Sequence, residues 1–190
     1  MKIVSAEEAV QSVKSNQKVF LQGAAMTPMV LMRALSERYE SLEKVGIVQL
    51  HTEGEALYTK APYNKAFEVI SCFVGGNVRD SINSERGSYI PVFLSEVGNL
   101  FDQQIVPLDA ALINVSPPDK HGYCSLGVSV DVTLAALRSA KTVVAQINDQ
   151  VPRSHGDGII HTSQIDYAVE VSQPIFTHEP KKPNETEVKI

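Results

Sequence analysis

Residues 116–123, Ser-Pro-Pro-Asp-Lys-His-Gly-Tyr, form the densest group of side chains able to do chemistry. Pro117 and Pro118 fix the backbone directly after an apolar run, and a carboxylate, an ammonium and an imidazole follow them. A stiff loop that holds polar groups at the end of a strand is a common way to build a preorganised site. The same stretch also suits a rigid connector in which Asp119 and His121 satisfy neighbouring backbone groups, so both interpretations stay open.

Three more loops combine small and polar residues directly after apolar runs. The small residues of Gly23-Ala24-Ala25 allow a ligand to approach the backbone closely. Gly75-Gly76-Asn77 is also explained by a strand-to-helix turn with an Asn cap, because no G-x-G-x-x-G dinucleotide signature is present. The candidate cleft residues are Gly23, Ala24, Ala25, Thr52, Glu53, Gly54, Gly75, Gly76, Ser116, Pro117, Pro118, Asp119, His121 and Gly122.

The elements that must position these loops alternate along the chain. Apolar runs predict strands at 18–21, 45–50, 67–74, 89–93, 110–115, 142–147 and 167–171. Helices are predicted after caps at Ser5, Thr27 and Asn77, the last ending at Gly87, and over 131–140. Strands that are apolar throughout are typical of a sheet covered on both faces, so we expect an α/β fold with a mostly parallel sheet and helices on both faces. Ligands bind outside the carboxyl ends of such strands, where the four loops begin.

Composition narrows the class of protein. The chain has 190 residues and a formal net charge of −5, with Lys and Arg scattered, which argues against a nucleic-acid partner. The two cysteines, Cys72 and Cys124, are predicted to be reduced and buried, and no His or Cys spacing fits a metal site. No apolar run is long enough for a membrane span, and the amino terminus is too polar for a secretory signal, so we expect a cytoplasmic protein.

The end of the chain differs in character from the rest. Residues 178–190 are charged and rich in proline, without an apolar period, which is typical of a linker. We therefore predict one α/β domain over residues 1–177, followed by a linker-like tail over 178–190.

The order of motifs resembles a known family. Residues 112–127, Leu-Ile-Asn-Val-Ser-Pro-Pro-Asp-Lys-His-Gly-Tyr-Cys-Ser-Leu-Gly, closely resemble a signature of the acetyl-CoA hydrolase/4-hydroxybutyrate CoA-transferase family, which is class I CoA-transferase-like. The resemblance also covers residues 23–28, 73–79, 89–101, 139–141, 148–152, 156–157, 160–161 and 165–167.

The resemblance implies that this chain is the first of two similar domains. The family's nucleophile, a glutamate that forms a glutamyl-CoA thioester, lies in the second domain, so no catalytic residue is assigned here. The loop carboxylates of Glu53, Glu55, Asp119 and Asp157 lie outside the family's nucleophile motif. The first domain is expected to supply a cleft wall, with oxyanion-binding backbone donors around residues 52–55.

The implied substrates are an acyl-CoA and a small carboxylic acid of the acetate, butyrate or 4-hydroxybutyrate type. The implied partners are a second CoA-transferase domain, fused or separate, and further copies in a homo-oligomer. No tightly bound cofactor is expected, because the coenzyme A thioester is itself a substrate. An acetyl-CoA hydrolase half and a noncatalytic α/β module that binds a ligand or partner remain alternatives, and they depend on whether a second half with the glutamate motif accompanies this chain.

Overall fold

An eight-stranded sheet, in which every pair of neighbours is parallel, organises the protein. The computed structural model describes residues 1–179, 182–184 and 186–189. The strand order is β1-β10-β8-β6-β2-β3-β4-β5, and β7 and β9 form a separate antiparallel pair. The strands are β1 (Lys2–Ile3), β2 (Lys18–Leu21), β3 (Val45–Gln49), β4 (Phe67–Ser71), β5 (Gly87–Tyr89), β6 (Ala110–Val115), β7 (Tyr123–Ser125), β8 (Thr142–Asn148), β9 (Ile159–His161) and β10 (Tyr167–Val171).

Short helices connect the strands and cover both faces of the sheet. They are α1 (Ala6–Ala9), α2 (Met29–Ser36), α3 (Arg79–Asn83), α4 (Val97–Asp102) and α5 (Thr133–Ser139). The predicted cap of α1 is confirmed, because Ser5 Oγ accepts a hydrogen bond from Glu8 N at 3.2 Å. Among the described residues, no helix combines the length and the apolar character that a membrane crossing requires.

Two apolar layers explain why the central strands are hydrophobic at every position. In β6, Leu112 packs into the layer formed with α1 and α2, whereas its neighbour Ile113 packs into the layer formed with α4 and α5. Both side chains are fully buried. Successive side chains of a strand point to opposite faces, so an uninterrupted apolar run requires cover on both. The predicted α/β class and mostly parallel sheet are confirmed.

Several boundaries differ from the prediction, among them the end of β4, which lies at Ser71 rather than at residue 74. The strand expected at 89–93 is instead β5, Gly87–Tyr89, because Pro91 has no N–H to continue the ladder. The helix expected from Asn77 to Gly87 is only α3, since Gly87 already pairs with Val69 of β4. Helix α2 begins at Met29 rather than at Pro28, so Thr27 is not its cap.

Two strands, β7 and β9, lie where the sequence predicts no strand. Tyr123, Cys124 and Ser125 of β7 pair with β9 in an antiparallel ladder of three residue pairs. Runs this short fall below the length at which alternation can be read. The prediction that Cys72 and Cys124 are free and buried is confirmed. The predicted tail, 178–190, falls partly outside the described residues.

Candidate functional site

The loops after β2, β3 and β4 meet at the carboxyl edge of the sheet, because these three strands are neighbours. Ala24 N donates to His51 O at 3.0 Å, and Ala24 forms an isolated parallel bridge with Thr52. A Cβ on Gly23 would lie 2.5 Å from His51 O, so only glycine allows the two backbones to come this close. The first two predicted loops are therefore joined directly.

Thr27 ties the same two loops together with its side chain. Its hydroxyl donates to Ala24 O at 2.8 Å and accepts from Glu53 N at 3.1 Å. Thr27 is buried, with an exposed fraction of 3%. This bonding replaces the helix-capping role that the sequence suggested for Thr27.

Asn77 joins the second loop to the third. Its Nδ2 donates to Thr52 O at 3.0 Å, to Thr52 Oγ1 at 3.1 Å and to Gly54 O at 3.3 Å. The Asn77 side chain therefore fixes two loops to each other and does not cap α3. Its Oδ1 is buried and has no partner among the described residues. Sequence reasoning assigned Asn77 a local role because nothing in the sequence places it beside Thr52.

The joined loops form a cleft of about 330 Å³. Glu53 N is already bonded to Thr27. By contrast, the backbone N–H groups of Gly54, Gly75 and Gly76 donate no hydrogen bond to any described residue. The cleft is lined by His51, Thr52, Glu53, Gly54, Phe73, Gly75, Gly76 and Asn77. Three of these lining residues, Gly54, Gly75 and Gly76, thus combine a backbone donor without an acceptor among the described residues with the absence of a side chain.

A buried amide supports the cleft from below. Gln49, with 1% of its surface exposed, accepts from Tyr58 Oη at 2.5 Å and from Thr52 Oγ1 at 3.3 Å. Burial raises the pKa of Tyr58, so its hydroxyl stays a neutral donor. Buried polar groups that are fully bonded hold their neighbours in one geometry. The position of Thr52 at the cleft is therefore set by buried groups of the fold.

Residues after β10 cross over this cleft. Gly54 has a φ of +76°, and a Cβ on it would lie 2.5 Å from Phe176 Cζ. Two residues further on, His178 Nε2 contacts Glu53 Oε1 at 3.2 Å. The start of this crossing is anchored where Asn148 Nδ2 donates to Gln173 O at 2.8 Å. The segment from 173 to 178 therefore runs along the carboxyl edge from β8 to the loop after β3.

The fourth predicted loop, residues 116–122, belongs to a hairpin. Asp119 Oδ1 accepts from His121 N at 2.8 Å and from Tyr123 N at 3.0 Å. Arg153 Nη2 donates to Asp119 Oδ2 at 3.1 Å. The backbone donor of Tyr123, followed by that of His121 and the Arg153 charge, holds the pKa of Asp119 below its usual range. Asp119 therefore remains an ionised anchor of the turn.

This hairpin is hydrogen-bonded to the region of β9 and not to the loops that follow β2, β3 and β4. Gly122 has a φ of +84° and accepts from Thr162 N at 2.9 Å, while Ser116 Oγ accepts from Ser125 N at 2.9 Å. Pro117, Pro118 and His121 are exposed. Among the described residues, the hydrogen bonds of 116–122 stay within the hairpin and its neighbours at 153 and 162. The structure thus gathers the candidate residues of the first three loops and places residues 116–122 in a second group.

The two groups meet through the segment that follows the hairpin. Gly127 packs so closely on Met26 that a Cβ would lie 2.6 Å from Met26 Cε. Below this contact, Gln22 Nε2 donates to Leu126 O at 3.3 Å and to Ser129 O at 3.0 Å. Gln22, which lies between β2 and Gly23, thus fixes the segment that follows the hairpin.

The close approach at Gly23 gives a direct test of the loop junction. Gly23→Ala should lower the free energy of unfolding by about 1–3 kcal/mol, because the new Cβ cannot avoid His51 O without moving one of the loops. Gly76→Ala is the matched control, since a Cβ there meets no atom within 4 Å, and its effect should stay below about 0.5 kcal/mol. Urea unfolding of both variants measures the difference. Equal stabilities would contradict the tight junction.

Comparison with known proteins shows which family this chain resembles. The family described as acetyl-CoA hydrolase/transferase N-terminal domain matches residues 1–177. The 4-hydroxybutyrate coenzyme A transferase of Clostridium kluyveri is 42% identical over 189 residues, which cover 100% of this chain and 44% of that protein. The succinyl-CoA:acetate/propanoyl-CoA:succinate CoA transferase of Fasciola hepatica is 44% identical over 191 residues, with 98% and 39% covered.

A solved structure gives the same result at the level of the fold. The crystal structure of 4-hydroxybutyrate CoA-transferase from Porphyromonas gingivalis superposes with a TM-score of 0.80 at 32% identity, covering 95% of this chain and 42% of that one. The chain thus spans less than half the length of the relatives that it matches. The match extends over nearly all of the chain, so the protein belongs to the acetyl-CoA hydrolase/transferase family and corresponds to its N-terminal domain.

Proposed function

We propose that this chain is the amino-terminal half of a CoA transferase that moves CoA between an acyl-CoA and a small carboxylate. One observation carries the proposal: the cleft of glycine-rich loops, with its unpaired backbone donors, lies at the carboxyl edge of an N-terminal domain of this family. The relatives from Clostridium kluyveri and Fasciola hepatica are named for CoA transfer to or from 4-hydroxybutyrate, acetate, propanoate and succinate. We infer an acid of the same short-chain class.

The proposed chemistry uses a glutamate of the second half as nucleophile. Its carboxylate attacks the thioester carbonyl, and CoA thiolate leaves to give a mixed anhydride. The thiolate then attacks the glutamyl carbonyl, releasing the first acid and forming glutamyl-CoA. The incoming carboxylate reverses both steps and takes the CoA. A glutamate suits this route because its carboxylate is a nucleophile in the first step and the leaving group in the last.

This chain would contribute electrostatic stabilisation and shape. Each tetrahedral intermediate carries an oxyanion that needs donors already in place. The N–H groups of Gly54, Gly75 and Gly76 suit this role, because they have no acceptor among the described residues and lie on residues that line the cleft. Thr52 and Glu53 line the same cleft. Gly23, Ala24 and Ala25 lie on the neighbouring loop, which is joined to this one where Ala24 bridges Thr52. The hairpin 116–122, with His121 exposed, belongs to the second group of residues and is proposed to contact the substrate from there.

The domain boundary and the assembly also belong to the proposal. We place the end of the domain at residue 177, where the segment that crosses the cleft reaches Glu53, and the linker at 178–190. A second CoA-transferase domain, fused or separate, and a homo-oligomer complete the enzyme. We also propose that the protein works in the cytoplasm.

The direct test is a joined protein in which this chain replaces the matching amino-terminal part of the Clostridium kluyveri enzyme. We expect this protein to form butyryl-CoA or 4-hydroxybutyryl-CoA from acetyl-CoA and the free acid. Chromatography of the CoA esters measures the product. Release of free CoA without a new ester would favour the hydrolase alternative. A folded joined protein that gives neither product would favour a noncatalytic module.

A further inference from the structure

An exposed apolar patch lies beside the cleft, at the free edge of the sheet. It consists of Phe73, Tyr89, Phe93 and Leu94, with exposed fractions of 59%, 49%, 76% and 67%. We call it the β5-edge patch. It rims a hollow of about 430 Å³ whose floor includes Leu50, Cys72, Val92 and Val97. Contiguous apolar surface of this kind usually marks an interaction site.

The β5-edge patch is continuous with the cleft of the proposed function. Phe73 and His51 line both hollows, and their rings meet edge to face with centroids 5.9 Å apart. Among the described strands, β5 is also the last of the sheet, so one of its backbone edges has no neighbour there. A body that covers the patch would therefore also border the unpaired donors of Gly75 and Gly76.

The chemistry of the hollow fits a protein surface better than coenzyme A. None of the residues that line it is Asp, Glu, Lys or Arg. Coenzyme A carries several phosphate charges, which bind where cationic side chains or grouped backbone donors are available. Large exposed aromatic side chains, in contrast, are enriched at contacts between proteins.

The path of the chain indicates which protein covers the patch. The matched family domain is an N-terminal one, and the relatives are more than twice as long as this chain. After β10 the chain crosses the carboxyl edge of the sheet and reaches Glu53 at His178. Glu53 lies two residues from His51, which lines the patch hollow. The segment that follows the last strand therefore passes beside the residues that join the cleft to the β5-edge patch.

We propose that the β5-edge patch is the docking surface for the second half of the CoA transferase. This inference rests on the proposed function, because it takes the second half as the occupant. The contact would close the cleft from the β5 side and bring the second half against the loop of Gly75 and Gly76. Burial of Phe93 and Leu94, which project furthest into solvent, would exclude water from that side.

Thiol labelling tests the docking surface separately from catalysis. Phe93→Cys is introduced into this chain and into the joined protein, and its reaction rate with a maleimide is followed. We expect protection of at least about tenfold in the joined protein, because a buried thiol reacts only during local opening. Ile105→Cys is the control: Ile105 is 62% exposed and lies outside the patch, and its rate should change by less than about twofold.

Each outcome supports or overturns the proposal. Protection of Phe93→Cys in a joined protein that lacks activity would support the docking surface and count against the proposed function. Active joined protein with Phe93→Cys unprotected, or with Ile105→Cys equally protected, would overturn the docking surface and leave the function standing. Protection in this chain alone that grows with concentration would identify a second copy as the occupant. If the joined protein is insoluble, co-expression of the two halves replaces it, and failure to co-purify would also overturn the proposal.

Discussion

Purified alone, this chain should show no detectable transfer of CoA from acetyl-CoA to butyrate or 4-hydroxybutyrate. Any residual rate should lie at least about a thousandfold below that of the joined protein. The reason is the nucleophile, which the proposed mechanism assigns to a glutamate of the second half. Three carboxylates of the candidate loops already have partners. Glu53 contacts His178, and the hydrogen bond from Lys60 holds the pKa of Glu55 below its usual range. Asp119 is bonded to two backbone N–H groups and to Arg153.

The control for this null result is covalent trapping in the joined protein. Borohydride reduces a glutamyl thioester, so treatment in the presence of acetyl-CoA should inactivate the joined protein and modify a peptide of the second half. The isolated chain, treated in the same way, should carry no reduced glutamate. Transfer by the isolated chain that disappears in Glu53→Gln or Glu55→Gln would show that the active site lies within this chain.

The sequence predicted the sheet well because its strands are buried on both faces. Strands β2, β6 and β10 were predicted at their observed bounds, since an apolar run flanked by polar residues fixes both ends. Strand β5 was misplaced because an edge strand of three residues has no such run. Strands β7 and β9 were missed for the same reason, as their pairing joins residues that are far apart in the chain.

The sequence predicted which loops form the candidate site but not the hydrogen bonds that join these loops. A parallel sheet brings the loops after neighbouring strands together, so the order of strands determines which loops meet. The order β6-β2-β3-β4 is a tertiary property and cannot be read from the sequence. Asn77 and Thr27 therefore looked like local caps, although their partners are Thr52 and Glu53. The family resemblance supplied the class of reaction, and the structure supplied these contacts.

Gln22 is the clearest example of a structurally important position that only the structure reveals. It follows β2 directly, and its exposed fraction is 0%. Its Oε1 accepts from Asn114 N at 2.7 Å, and its Nε2 donates to Leu126 O and Ser129 O. One amide therefore links the exits of β2 and β6 to the segment that follows the hairpin. A Gln directly after an apolar strand is the only signal in the sequence.

Replacing Gln22 by Leu should cost about 3 kcal/mol of unfolding free energy, because three backbone groups lose a partner and water has little access to them. For a chain of this size that loss corresponds to a fall in Tm of about 6–12 °C. Gln17→Leu is the matched control: its Oε1 accepts from Lys14 N at 2.7 Å in an exposed bond, so its cost should stay below about 0.5 kcal/mol. Thermal unfolding of the two variants measures the contrast.

The Gln22→Leu joined protein should also lose turnover at temperatures where it remains folded, since the hairpin segment would no longer be fixed to β2. A Gln22→Leu variant as stable as Gln17→Leu would show that the buried amide does not hold the two groups of loops together.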